Sequence, residues 1–308
     1  MTTVAPIAAE DVGDVADRVV AALRADSTRQ PLVSGGVDRA EVVGALASVA
    51  AHTWVARRDG AVAGHLSGAR LDAPEYGSGA WVSPDGVSFD DADVLADLYA
   101  AAGAAWIAEG ALEHYVWALD DASRTAPWFE LGFARMHQRG VRRLTGGTPL
   151  DAPAGVRIRV GGPSDLDAAV ALSAALDRAQ ALGPSFSRVA PGDDRADLAE
   201  ALEDPEVTHY LAERDGVPVA QCLTFPLPDR RGSHPHTVHL SAVSVADGER
   251  GAGLGTALVE LVLGRAAAAG FAFAETNWRV TNRGAARFWV ARGFAPTYVR
   301  LHRTIGAG

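Results

Sequence analysis

The chain repeats itself. Trp54-Val-Ala-Arg-Arg-Asp-Gly-Ala-Val-Ala-Gly64 returns as Tyr210-Leu-Ala-Glu-Arg-Asp-Gly-Val-Pro-Val-Ala220, and Ala126-Pro-Trp-Phe-Glu-Leu-Gly-Phe133 returns as Ala286-Arg-Phe-Trp-Val-Ala-Arg-Gly-Phe294. Chance supplies one such match; two in the same order imply two copies of one plan. In the first pair, Asp-Gly between apolar stretches is a strong signal for a tight hairpin. Between the copies, Thr145-Gly-Gly-Thr-Pro-Leu-Asp-Ala-Pro-Ala-Gly155 has the Gly/Pro content of a connector. The domains are therefore expected at 1–146 and 156–308, and 308 residues are enough for two separate cores.

In the second copy, periodicity predicts strands at Val156–Val160, Thr208–Glu213, Val217–Phe225, Thr237–Val245, Phe271–Asn277 and Pro296–Thr304. Helices are expected at Asp165–Leu182, Asp194–Leu202, Gly253–Ala269 and Asn282–Arg292. This order implies an α/β fold: a mixed, largely antiparallel sheet flanked by helices, with an antiparallel meander first and a βαβ portion late.

Charge and composition remove several classes of function. The net charge is −10, which disfavours a nucleic-acid groove or an anionic membrane surface. No apolar run approaches the ~20 residues of a membrane span. The N-terminus, with Glu10, Asp11 and Asp14, has no basic n-region, so a cytoplasmic location is expected. Cys222 is the single cysteine and lies in the apolar run Val219–Phe225, where it reads as a buried strand residue. All 28 basic residues are arginine, so a Walker-type loop with its lysine is impossible.

The chemistry concentrates in Val243-Ser-Val-Ala-Asp-Gly-Glu-Arg-Gly-Ala-Gly-Leu-Gly-Thr256. A β-branched strand runs into a loop with Gly251, Gly253 and Gly255 and then into an apolar-periodic helix. Closely spaced glycines let the backbone approach a ligand, and the free N–H groups of a helix's first turn suit a pyrophosphate. A dinucleotide site fits less well, although Glu275 lies at about the right distance for a ribose contact. The spacing is G-x-G-x-G-T rather than G-x-G-x-x-G, and a meander precedes it.

Arg250-Gly-Ala-Gly-Leu-Gly255 resembles the R-G-x-G-x-G/A signature of the GCN5-related N-acetyltransferases, and Asn282-Arg-Gly-Ala-Ala-Arg-Phe-Trp-Val-Ala-Arg-Gly-Phe294 resembles that family's second pattern, N-x-x-A-x-x-F-Y-x-x-x-G-F. The resemblance implies two tandem acetyltransferase-like domains using acetyl-CoA as co-substrate, a layout similar to that of the mycothiol synthases. It implies that backbone groups of Val243 and Val245 hold the pantetheine arm. It also implies that Arg250, Gly251, Ala252, Gly253, Leu254, Gly255 and Thr256 cradle the pyrophosphate and that Asn282 contacts the arm near the thiol. Asn282 is equally well read as a helix N-cap. Arg283, Arg287 and Arg292 are within range of the outer phosphate or form a solvated face. The matching stretch of the first copy, Ser88-Phe-Asp-Asp-Ala-Asp-Val94, has no glycine cradle and sets Asp90, Asp91 and Asp93 against an anion. That copy is expected to be degenerate.

The expected reaction is direct transfer of an acetyl group to a primary amine, probed by candidate bases His239 and Glu275. Where many family members have a tyrosine acid, this sequence has Trp289, which leaves Tyr298 as a replacement candidate. His234-Pro-His-Thr-Val-His239 is not expected to hold a metal, because strand alternation separates the rings. The expected acceptor is a small-molecule amine, and the expected state is a monomer or homodimer. A non-catalytic acyl-CoA-binding module is the alternative.

Overall fold

The computed structural model describes residues 2–73, 77–145, 152–185 and 195–306. It contains two compact units that do not divide at a single point in the chain. The first gathers Met1–Arg139, Arg230–Ser233 and Pro296–Gly308; the second gathers Gly140–Asp229 and His234–Ala295. Most of the expected connector, residues 146–151, lies outside the described residues.

The first unit comprises β1 (Thr2–Pro6), α1 (Val12–Arg29), α2 (Arg39–Ser48), β2 (Thr53–Arg58), β3 (Ala61–Ser67), β4 (Ala69–Ala73), β5 (Gly77–Val82), β6 (Val87–Phe89), α3 (Ala92–Ala108), β7 (Glu113–Leu119), α4 (Ala122–Glu130) and the start of β8 (Ala134–Arg143). The second contains the end of β8, then β9 (Val156–Val160), α5 (Leu166–Ala181), α6 (Arg195–Glu203), β10 (Thr208–Arg214), β11 (Val217–Pro226), β12 (Thr237–Val245), α7 (Leu254–Ala268), β13 (Phe273–Arg279) and α8 (Arg283–Ala291). The last strand, β14 (Ala295–Thr304), falls in the first unit apart from Ala295 and pairs antiparallel with β7. The strands of the first unit run in the orders β1-β2-β3-β6 and β4-β5-β7-β14-β8; those of the second run β8-β13-β12-β11-β10-β9.

The sequence repeat is a repeat of backbone geometry. Asp59–Gly60 and Asp215–Gly216 join β2 to β3 and β10 to β11, with φ of +53° and +84° in one turn and +51° and +77° in the other. Positive φ at both central residues is the type I′ condition, whose twist matches that of the flanking strands. Each hairpin also shifts register at the same place, after Ala56 and after Ala212. In the second matched pair, Trp128 meets Phe133 edge-on at 4.9 Å and Trp289 meets Phe294 edge-on at 5.1 Å, all four rings buried.

Helix α7 is fixed to its sheet by an apolar stripe. Leu258, Val259, Val262, Leu263 and Ala266 are buried against Ala220, Cys222, Val238, Leu240 and Ala274. Each large side chain contributes about 1.5–3 kcal/mol by leaving water, and Leu258→Ala would cost about 2–5 kcal/mol. This packing anchors the start of α7, and the start of α7 is where the glycine loop ends.

Candidate functional site

Strands β12 and β13 part company where the site begins. They pair in parallel from Thr237 opposite Phe273 to Leu240 opposite Thr276. Beyond that point β12 continues to Val245 and β13 to Arg279 without pairing to each other. The last rung is closed by a side chain: Thr276 Oγ1 donates to the Leu240 carbonyl at 3.0 Å. On its other edge β12 follows β11, but with an extra residue, since Gln221 faces Ser244 and Leu223 faces Ser241. Ala242 takes up the irregularity at φ +48°, a conformation that costs a non-glycine residue about 1–2 kcal/mol. The bulge bends β12, so that backbone groups between Ser241 and Val245, Val243 among them, border the opening rather than a neighbouring rung.

The loop after β12 delivers backbone donors to the same end of the sheet. Gly253 is the N-cap of α7, in the left-handed region at φ +79°, and no side chain caps the helix. The first turn closes with the Ala257 N–H donating to the Gly253 carbonyl at 3.0 Å. The N–H groups of Leu254, Gly255 and Thr256 precede that bond and are the helix's orphan donors. Gly251 is also left-handed, at φ +87°, and a Cβ on Gly251 or Gly253 would meet nothing within 4 Å. The turn therefore needs glycine for its backbone angles and faces open space, while Ala252 between the two is exposed. Gly255 lies over Phe288 and Val245, whose nearest atoms would stand 3.5 Å from a Cβ.

The loop's acids are matched. Arg250 folds back, its Nε donating to the Val245 carbonyl at 3.4 Å and its guanidinium 3.3 Å from Asp247. Arg214 holds Glu249 at 3.2 Å. A second guanidinium reaches the first turn of α7: Arg292 Nη2 donates to Thr256 Oγ1. Open glycine backbone, uncapped first-turn donors and a nearby cation make a set that fits a pyrophosphate. Asn282 caps α8, its Oδ1 accepting from the Ala285 N–H at 3.0 Å. Arg283 and Arg287 are exposed on α8.

Among the candidate acid–base groups, His239 and Glu275 come together. They face each other across β12 and β13, one rung before the pairing ends, with His239 Nδ1 3.7 Å from Glu275 Oε1. The His239 ring lies 5.0 Å from that of Phe225, and its Nδ1 is buried without a hydrogen bond. Glu275 is only 1% exposed. Tyr298 belongs to the first unit, where it packs with Val33, Trp117 and Leu119. Its hydroxyl is buried without a partner, and desolvation pushes its pKa well above the ordinary phenol value. Trp289 is part of the core of the second unit.

Sequence reasoning missed the bulge, the Thr276 cap and the Arg292–Thr256 contact. Positive φ at an alanine leaves no compositional mark, and the side-chain contacts join residues 36 apart in the chain.

Residues 176–294 match the family model for the Acetyltransferase (GNAT) family, a stretch that holds the bulged strand, the glycine turn, His239, Glu275 and Asn282. Acyl transfer is the class of chemistry of the family that this stretch matches. Over the whole chain the fold is that of two-domain GNAT proteins. It is similar to a GCN5-related N-acetyltransferase from Sphaerobacter thermophilus, with a TM-score of 0.65 and 19% identity over 100% of this chain and 96% of that one. It is also similar to a tandem GNAT protein from the clavulanic acid biosynthesis pathway, with a TM-score of 0.54 and 19% identity over the full length of both. A GCN5-related N-acetyltransferase from Kribbella flavida aligns over 83% of this chain and 87% of its own, with a TM-score of 0.51 and 16% identity. At these identities the likeness is one of fold. No curated protein matches the sequence. No helix among the described residues is long and apolar enough to cross a membrane.

Proposed function

We propose that this chain is an N-acetyltransferase that moves an acetyl group from acetyl-CoA to a primary amine of a small molecule. In this reading the second copy carries the working site, the first is degenerate, and the protein acts in the cytoplasm as a monomer or homodimer. The observation that carries the reading is the uncapped glycine turn at Gly253, set within a GNAT segment and beside the opening between β12 and β13.

Acetyl-CoA supplies an acyl group activated as a thioester. The protein's part follows from its own atoms. First-turn N–H groups from Leu254 to Thr256, with Arg250, Gly251, Ala252 and Gly253 shaping the loop, bind the pyrophosphate. Backbone groups of Val243 and Val245 orient the pantetheine arm along the unpaired edge of β12, and Asn282, while capping α8, borders the thiol end. His239 is assigned as the base that takes a proton from the bound ammonium, with Glu275 stabilising the imidazolium; neutral imidazole suits that task near pH 7. Tyr298 is buried in the core of the first unit, and desolvation raises its pKa, so it is a poor donor to the leaving thiolate. In this reading the thiolate leaves without a side-chain acid and takes its proton from solvent.

Release of free thiol from acetyl-CoA, measured over a panel of primary amines, tests the reading. His239→Ala is expected to lower kcat about 10²–10⁴-fold, with CoA affinity retained. Tight CoA binding without turnover on any amine would favour a binding module instead, and absence of CoA binding would remove the reading altogether.

A further inference from the structure

Arg292 closes α8 and reaches the first turn of α7. Its guanidinium lies over Phe288, with Cζ 4.2 Å from the ring centroid, Nη1 donating to the Phe288 carbonyl at 3.1 Å and Nη2 to Thr256 Oγ1. Its own carbonyl accepts from Arg142 Nη1 at 2.8 Å, and Arg142 pairs with Glu260 on α7 at 3.0 Å. The guanidinium is thus held from three sides, and its Nε is buried without a partner.

A hydroxyl has one proton to donate and two lone pairs to accept. With a cation donating into its oxygen, the Thr256 hydroxyl must aim its proton elsewhere, and it has no acceptor among the described residues. The neighbouring groups of the turn are N–H donors, so what they share is an appetite for an anionic oxygen. The cation also polarises the O–H, which strengthens it as a donor. Arg250 does not fill this role, because its charge is folded back on Asp247.

We propose that Arg292 is a positioning residue for the diphosphate of an acyl-CoA. It fixes the Thr256 hydroxyl as an outward donor and brings a full positive charge to the first turn of α7. The proposal rests on the acyl-donor reading above. It differs from a plain clasp between α7 and α8, which would change stability and leave ligand affinity alone.

Calorimetric titration of the full chain with CoA and with dephospho-CoA separates these cases. Thr256→Val and Arg292→Met are each expected to weaken CoA binding about tenfold, the effect of losing one hydrogen bond to a charged group. Thr256→Ser, which keeps the hydroxyl, is expected to bind like the wild type. The double variant Thr256→Val/Arg292→Met is expected to lose no more than either alone, since residues acting as one unit are non-additive. Dephospho-CoA is expected to show the same pattern, because the diphosphate and not the 3′-phosphate is the group recognised. In turnover, KM rises and kcat holds. If the wild type binds no CoA, the acyl-donor reading fails. If the wild type binds but Arg292→Met binds equally well, or the two losses multiply, the proposal for Arg292 is overturned. Should Arg292→Met fail to fold, wild-type affinity in Thr256→Val overturns it equally.

Discussion

Helix α3 in the first unit and helix α7 in the second both follow a strand and a short loop, and both begin their unit's longest apolar helix after the repeated hairpin. Helix α3 starts at Asp91, whose carboxylate accepts from the Val94 N–H at 3.0 Å and pairs with Arg58 at 2.7 Å. Asp90 beside it pairs with Arg18 at 2.6 Å. Helix α7 starts at Gly253, which offers no side chain at all. A helix N-terminus is electropositive and short of acceptors wherever it occurs. In α3 the chain satisfies it with its own anion; in α7 it leaves the donors facing outward. The same physics that stabilises one unit leaves open donors in the other.

A second difference lies deeper. In the first unit His65 is fully buried, with Nδ1 2.8 Å from Ser88 Oγ and Nε2 3.3 Å from the Asp85 carbonyl. In the second, Gln221 faces Ser244 across the strands in the same way that His65 faces Ser88. The glutamine instead reaches Ser173 Oγ at 3.0 Å, and its Oε1 lies 3.2 Å from Nε2 of the buried His209, whose pKa desolvation also lowers. Burial lowers the pKa of His65 from 6.5 to about 4.

Three experiments press on this comparison. The largest effect is expected from Gly253→Asp, which puts a carboxylate at the start of α7, where α3 has one. The new carboxylate competes for the first-turn donors and repels the diphosphate, so CoA affinity should fall at least about a hundredfold, roughly 3 kcal/mol. An aspartate at φ +79° is strained, so the melting temperature should fall as well, by about as much as in Gly253→Ala, which carries the strain without the charge. Undiminished CoA binding by this variant in calorimetry would contradict the site.

Next comes acid sensitivity. The folded pKa of His65 lies below its unfolded value, so between pH 6.5 and about 4 the unfolded chain binds the extra proton. Stability from this residue is complete above pH 6.5 and is lost as pH falls toward 4, by about 3 kcal/mol in total. His65→Gln, which borrows the residue of the second unit, should flatten the pH dependence of denaturant unfolding by that amount. Parallel curves for the two proteins would refute the assignment.

The smallest change is expected from Asp91→Ala. Removing the cap uncovers the donors of α3 and leaves the Arg58 guanidinium beside them, but supplies no glycine cradle. Titration should still find one CoA per chain. A second equivalent would mean that the capping carboxylate alone had silenced the first copy.

Much of the fold was legible in the residues because its signals are local. Asp-Gly between apolar stretches dictated the two hairpins, alternation dictated β9 to β12, and Asn282 read correctly as a cap because an asparagine before a helix has few other uses. Boundaries moved slightly, as for β13, expected at Phe271–Asn277 and found at Phe273–Arg279. The helix expected from Asp165 begins at Leu166, after a short 3-10 turn at Pro163–Asp165. Other features were not visible. Arg139 and Arg300, charged and thus expected outside, are buried in the first unit over aromatic rings, Arg139 4.4 Å from Trp117 and Arg300 5.0 Å from Trp81. A cation is tolerated there because the ring faces attract it, and those rings come from distant strands.

By itself, then, the sequence determined the duplicated α/β plan, the hairpins and the glycine loop, since each depends on backbone preferences of residues close together in the chain. Only the tertiary structure decided that β12 bulges away from β13, that Arg292 rather than Arg250 reaches the mouth of α7, and that Tyr298 packs with the first unit. Those outcomes rest on contacts between segments far apart in sequence, where the register and packing of whole strands, and not any local preference, choose which side chains meet.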